Sequence, residues 1–265
     1  MNQSPTRHIQ HSIILAKTAQ KLRQVTCLQA CLMRVRQGEK HIWLDEKMQI
    51  ARSSDLILAP AGLTMTLTNQ PNAHGYTCEV LILEPQLLQH FRATYPEITQ
   101  AVIHAEPQLC IKHSPMIAQQ WDEVFSAMNR NEPTALLHHR AEGLLLALAM
   151  AGHGAALFID RADSLIRRVQ QLLLLQTSKE WTVDQVAQQL QMGASTLRRQ
   201  LANQGSSFRQ LLDEVRLNTA LSMIQTTKMP IGSIAQHCGY ASASRFSARF
   251  TQQFGIKPLQ LRATI

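Results

Sequence analysis

Between Thr182 and Arg262, about eighty residues, one pattern occurs twice, and nothing else in the chain so restricts what it can fold into. The copies are WTVDQVAQQLQMGASTLRRQLANQ and KMPIGSIAQHCGYASASRFSARFTQQFGIKPLQLR. Ala187 falls on Ala235 at an offset of 48, whereas Leu197 and Leu201 fall on Phe246 and Phe250 at an offset of 49, so one residue has been added in the second turn. Each copy has a short amphipathic helix, a small Ala where two helices cross, a tight turn and a second helix with apolar residues inward. That is the make-up of a helix-turn-helix unit.

In the first copy Thr182 stands three residues before Gln185, a capping box that starts a helix. This helix buries Val186, Ala187 and Leu190, and a turn follows at Gln191-Met192-Gly193. The next helix points Leu197 and Leu201 inward and Ser195, Thr196, Arg198, Arg199 and Asn203 outward, toward a major groove. In the second copy Pro230 sits where its missing N–H costs nothing, and Ser242 is placed to cap the reading helix. Its polar candidates are Ser244, Arg245, Ser247 and Arg249.

A single helix-turn-helix pattern is weak, because amphipathic helix pairs are common; the duplication with its spacer is strong. Ser207 to Thr227 reads as one helix packing through Phe208, Leu211, Leu212, Val215, Leu221 and Ile224. Its ~20 residues span ~30 Å, close to the ~34 Å repeat of B-DNA. Both reading helices can then enter successive major-groove turns of double-stranded DNA. Arg198 and Arg199 suit guanine O6 and N7, at about 1–3 kcal/mol of discrimination per bidentate pair, with phosphate as the alternative for one of them. Arg216, inside the spacer helix, reads as an internal partner, and His237 and Cys238 as packed or solvent-facing residues.

Charge follows the same division. Residues 165–265 hold 12 Lys+Arg against 4 Asp+Glu, while residues 1–164 hold 14 of each. A basic domain beside a neutral one is the electrostatic footprint of a nucleic-acid reader carrying a separate module. A cationic face that serves only solubility has the same footprint, so charge alone does not decide.

Upstream, after a first dozen residues expected to be mobile, short β-rich runs cover Thr26 to Val35, His41 to Leu44, Asp55 to Ala59, Leu63 to Thr68 and Tyr76 to Leu83. They are separated by turn residues and predict a small barrel or sandwich. DLILAPAG followed by LTMTLT resembles cupin jelly-roll modules. A cupin enzyme needs clustered metal ligands, and this region has only the isolated His41 and His74. His138 and Glu142 can share a helix face at i and i+4, but the reading there is an ordinary helix surface. No metal, no cofactor and no catalytic residue is expected.

From Pro85 the apolar period becomes helical. The run from Thr134 to Met150, apolar on most sides, reads as either a dimer contact or a buried helix. The chain is thus expected to be α+β, a cupin-like β-barrel or sandwich with helices followed by an all-α half. Residues 1–151 form a regulatory and dimerisation domain, 152–163 a linker and 164–265 the DNA-binding domain. Five cysteines, an odd number with no C-x-x-C pair, argue for buried thiols in a reducing cytoplasm. The N-terminus lacks an export signal and no apolar run reaches the ~18 residues a membrane span requires.

The segment IGSIAQHCGYASASRFSARFTQQFGIKPLQLR resembles the C-terminal signature of the AraC/XylS family of bacterial transcription regulators. Ile231, Ile234, Ala235, Gly239, Tyr240, Ser242, Ser244, Phe246, Phe250, Phe254, Gly255, Pro258 and Arg262 stand where that family has its core and turn residues. The resemblance covers about the last hundred residues; upstream it is loose. It implies promoter binding, usually activation through RNA polymerase, with an N-terminal domain for dimerisation and sensing of a small-molecule effector. The family often has Arg where Ala248 stands and basic residues where Thr251-Gln252 stand, which leaves Ser244, Arg245 and Ser247 to read bases in the second unit. Two other readings compete with a sequence-specific regulator: a nonspecific architectural DNA protein, and a metal cupin tethered to DNA.

Overall fold

The structure is a computed structural model that describes residues 9–159 and 164–265. Residues 1–8 and 160–163, the latter in the expected linker, lie outside them. The chain divides into two compact units, one of residues 9–19, 29–63 and 67–159, the other of residues 20–28, 64–66 and 164–265.

In chain order the first half contains β1 (Ile9–Ala16), β2 (Gln20–Thr26), β3 (Ala30–Gln37), β4 (Glu39–Leu44), β5 (Lys47–Ala51), β6 (Asp55–Ala59), β7 (Thr64–Gln70), β8 (Tyr76–Leu83), α1 (Pro85–Thr94), α2 (Pro96–Ile103), β9 (Cys110–Lys112), α3 (Pro115–Asn129), α4 (Thr134–Met150) and α5 (Ala155–Phe158). One sheet has the order β1-β8-β3-β6-β9 and the other β2-β7-β4-β5. The pairs β1/β8, β3/β8, β3/β6, β4/β5 and β6/β9 are antiparallel. These are open sheets and not a closed cupin barrel, which corrects one of the two architectures expected.

The five expected strand runs correspond to β3, β4, β6, β7 and β8. Of the first dozen residues, expected to be mobile, 1–8 lie outside the described residues, while Ile9–Ser12 open β1, which pairs with β8 from Ile9 opposite Leu83 to Ala16 opposite Tyr76. Strand β6, DLILA, is buried along all five residues, and the carboxylate of its Asp55 is paired with Lys112 at 2.7 Å. Leu32, Leu56, Leu58, Leu81 and Leu83 of the five-stranded sheet share one core with Phe91 of α1, Trp121 of α3 and Phe158 of α5. Helix α4 adds Leu137, Leu144, Leu145 and Leu148 to this core. Most of its apolar surface is therefore covered within its own unit, the second of the two readings offered for it. Residues 152–163, expected as a linker, contain α5, whose Leu157 and Phe158 are buried.

The helical unit contains α6 (Leu165–Leu175), α7 (Val183–Gln189), α8 (Ala194–Asn203), α9 (Phe208–Thr226), α10 (Ile231–His237), α11 (Ala243–Phe254) and α12 (Pro258–Ala263). It also takes in β2, which explains polar residues buried along α9. The Asn218 carboxamide oxygen accepts from Thr26 N–H at 2.9 Å, and Gln225 Nε2 donates to Gln20 Oε1 at 3.1 Å. Gln20 Nε2 in turn donates to Thr264 Oγ1 at 2.8 Å. Buried amides of this kind cost stability unless every donor and acceptor is met. Among the described residues no helix is long and apolar enough to cross a membrane.

Candidate nucleic-acid interface

The duplicated pattern folds as two helix-turn-helix units, α7/α8 and α10/α11, joined by α9. The 19 residues of α9 give it a length of ~28 Å at 1.5 Å per residue. The capping box forms as the sequence predicts. Gln185 N–H donates to Thr182 Oγ1 and Thr182 N–H to Gln185 Oε1, both at 3.2 Å. Ser242 caps α11, its hydroxyl accepting from Arg245 N–H at 3.3 Å.

The offset can be followed bond by bond. Met192 N–H donates to Ala187 O and Tyr240 N–H to Ala235 O, a shift of 48, whereas Leu197 to Gly193 and Phe246 to Ser242 are shifted by 49. The extra residue is therefore Ala241. At equivalent points of the two turns stand Gln191, with φ of 56°, and Gly239, with φ of 78°. The first turn holds a side chain in the left-handed region, where L-residues are strained. The second has glycine there, for a further reason. A Cβ on Gly239 would lie 2.5 Å from a guanidinium nitrogen of Arg216.

Arg216 is an internal partner, as its position in α9 suggests. Its Nη2 donates to Lys179 O at 2.9 Å and its Nε to Thr177 O at 3.3 Å, in the loop leading into α7. The same guanidinium lies 5.9 Å from the Tyr240 ring. One side chain thus touches the entry of the first unit and the turn of the second. The thiol of Cys238, pushed up to about 12 by burial, is a packing group, and His237 is exposed.

The two reading helices differ. Around α8 the core is chiefly aliphatic, with Val186, Ala187, Leu190, Leu197, Leu201, Leu211 and Val215, closed by Trp181. Along α11 Phe246, Phe250 and Phe254 are fully buried, with successive ring centroids 5.6 and 4.6 Å apart.

On α8 the residues Ser195, Arg198, Arg199 and Asn203 are exposed and Thr196 is partly so. No ion pair or hydrogen bond ties Arg198 or Arg199 to another side chain among the described residues, so both guanidinium groups face solvent. On α11 Ser244 and Arg245 are exposed and Ser247 is half-buried, with the Ser244 hydroxyl 2.8 Å from that of Ser242. Arg249 departs from this set. It forms an ion pair with Asp213 of α9, whose carboxylate raises its already high pKa, and donates to Gln252 Oε1 at 3.1 Å. The sequence contains no local sign of this tether, which depends on a residue 36 positions away.

Residues 186–264 match the family described as a helix-turn-helix domain, and residues 30–158 that described as the ExsA N-terminal regulatory domain. The urease operon transcriptional activator of Escherichia coli is 35% identical over 94 residues, which are 36% of this chain and 32% of that protein. The ornithine utilization regulator of Pseudomonas aeruginosa is 33% identical over 104 residues, 39% and 31% of the two chains. The chain thus spans about a third of the length of these curated relatives. The solved structure of ToxT from Vibrio cholerae shares the fold with a TM-score of 0.71 at 14% identity, over 97% of this chain and 99% of that one. With a helix-turn-helix domain at residues 186–264, a regulatory domain at residues 30–158 and two helix-turn-helix units on one spacer helix, the chain is similar to transcription regulators of the AraC/XylS family.

Proposed function

We propose that this chain is a sequence-specific transcription regulator, an activator, that reads two successive major-groove turns of promoter DNA with α8 and α11. The observation that carries the reading is the adjacent pair Arg198 and Arg199, exposed on α8 with no intramolecular partner among the described residues. A guanidinium fork held on a rigid helix is suited to the O6/N7 edge of guanine. In the second head, Ser244, Arg245 and Ser247 are the base or backbone contacts, and Arg249 holds the head to α9. Selection of bound fragments from a random duplex pool tests this. The expected product is a consensus of two short elements about 10–10.5 base pairs apart. Recovery of fragments without a consensus would favour the architectural reading.

Three partners belong to the same proposal. RNA polymerase is the target of activation, as the activator among the relatives suggests. A second copy of the chain pairs through the N-terminal helices, with Leu136 and Met150 of α4 as apolar side chains left exposed at 49% and 68%. Sedimentation of the full chain, with and without Leu136→Glu, checks it. The N-terminal unit, matching a regulatory domain, takes a small-molecule effector. The protein works in the cytoplasm and is no enzyme.

A further inference from the structure

We propose that His90, His138 and Glu142 form a binding site for one divalent transition-metal ion of the zinc class. The sequence assigns none there, because it offers only the pair His138 and Glu142 on one helix. Packing of α1 beside α4 adds His90 from 48 residues away.

The geometry supports the assignment. Three ligand atoms, one from each residue, all lie within 4.8 Å of one another. His90 Nε2 is 3.2 Å and His138 Nδ1 3.7 Å from the same carboxylate oxygen, Glu142 Oε1. A tetrahedral ion with bonds of ~2.0–2.1 Å holds its ligand atoms ~3.4 Å apart, within the range of these two separations. The imidazole rings meet at 65°, with centroids 5.2 Å apart, edge to face instead of stacked.

The state of the carboxylate points the same way. Glu142 Oε1 is buried and has no hydrogen-bond partner among the described residues, although an imidazole nitrogen stands 3.2 Å away. The two groups are close without being aimed at each other. Ligands whose lone pairs converge on an ion between them have this relation, and a buried carboxylate oxygen without hydrogen bonds needs a cation. His90 also lies 3.4 Å from Thr94 Oγ1, a long contact that an ion would replace.

Two imidazoles and one carboxylate suit zinc and its neighbours, whereas magnesium and calcium prefer oxygen ligands alone. The His90 side chain is 57% exposed, while those of His138 and Glu142 are 20% and 12% exposed. The site therefore has an open side, through which an ion enters and a water completes the coordination. A bound ion would staple α1 to α4.

The test uses tag-free, chelator-treated full-length protein. Zn²⁺ is titrated by calorimetry, and Co²⁺ is followed through its visible d–d bands, in the wild type and in His90→Ala and Glu142→Gln. One ion per chain is expected for the wild type, with tetrahedral Co²⁺ bands and a raised Tm. Each variant is expected to bind more than about tenfold more weakly and to lose the Tm response. Failure of the wild type to retain an ion after dialysis would overturn the proposal, as would stoichiometric binding untouched by both variants. If Glu142→Gln does not fold, His90→Ala decides, because its exposed side chain contributes little to the core.

Discussion

The two heads descend from one pattern, yet they fix their reading helices by different means. The first relies on aliphatic packing around Leu197 and Leu201, accepts a strained Gln191 in its turn and leaves both arginines on α8 open. The second has a ladder of three phenylalanines, relieves its turn with Gly239 and one added residue, and ties Arg249 back to Asp213. The second head thus holds one of the two arginines of its second helix inward and leaves Arg245 exposed, whereas the first leaves both of its arginines open. The family departures at Ala248 and Thr251-Gln252 fall on the second head.

The largest expected effect lies in the aromatic ladder. Phe250→Ala should cost about 3–5 kcal/mol, read as a lowered denaturation midpoint at unchanged slope. A much smaller loss would mean that α11 does not depend on the ladder. Next comes the contrast in DNA reading. Arg198→Ala should weaken binding to the selected consensus by about 1–3 kcal/mol, with a smaller loss on random duplex and a smaller effect from Arg245→Ala, measured by fluorescence anisotropy. Equal losses on both DNAs would remove base reading from the first head.

The turns give opposite signs. Gly239→Ala should destabilise by roughly 1–2 kcal/mol from the left-handed backbone alone, and by more if the Arg216 guanidinium cannot yield. Gln191→Gly should stabilise by up to about 1 kcal/mol, seen as a rise in Tm without change in DNA affinity. The smallest effect is expected at the tether. Asp213→Asn should lower stability by about 0.2–1 kcal/mol, because both partners are partly exposed. Salt titration of DNA binding would show whether the released Arg249 gains a phosphate, as a slope steeper by about one.

Sequence reading reached furthest where structure is local. Capping boxes, turn residues and apolar periodicity are written within a few residues of where they act, so both helix-turn-helix units, the spacer helix and the one-residue insertion in the second turn were within reach, while its place at Ala241 follows from the backbone hydrogen bonds. The β-half was read in part. Strand β1 was missed because Ile13 and Leu15 are among its exposed positions, at 42% and 45%, which leaves no clean alternation to see. Strand β5, KMQIA, is short, and its exposed Met48 likewise blurs the alternation. What remained out of reach rests on partners distant in sequence: Asp213 for Arg249, Gln20 and Thr26 for the buried amides of α9, and His90 for the pair on α4.

Helix α9 also fixes what evolution can alter in this molecule. Each residue inserted into an α-helix turns everything beyond it by ~100° and advances it by ~1.5 Å. A single-codon insertion between Leu211 and Ile224 would swing the second head about the helix axis, even with every side chain of that head intact. The Arg216 clip, which joins the loop before α7 to the turn before α11, would be broken by the same event. On the proposed function, substitutions on α8 or α11 would retune the recognised sequence one base at a time. The separation between the two helix-turn-helix units is instead a discrete quantity, set by the residue count of one helix.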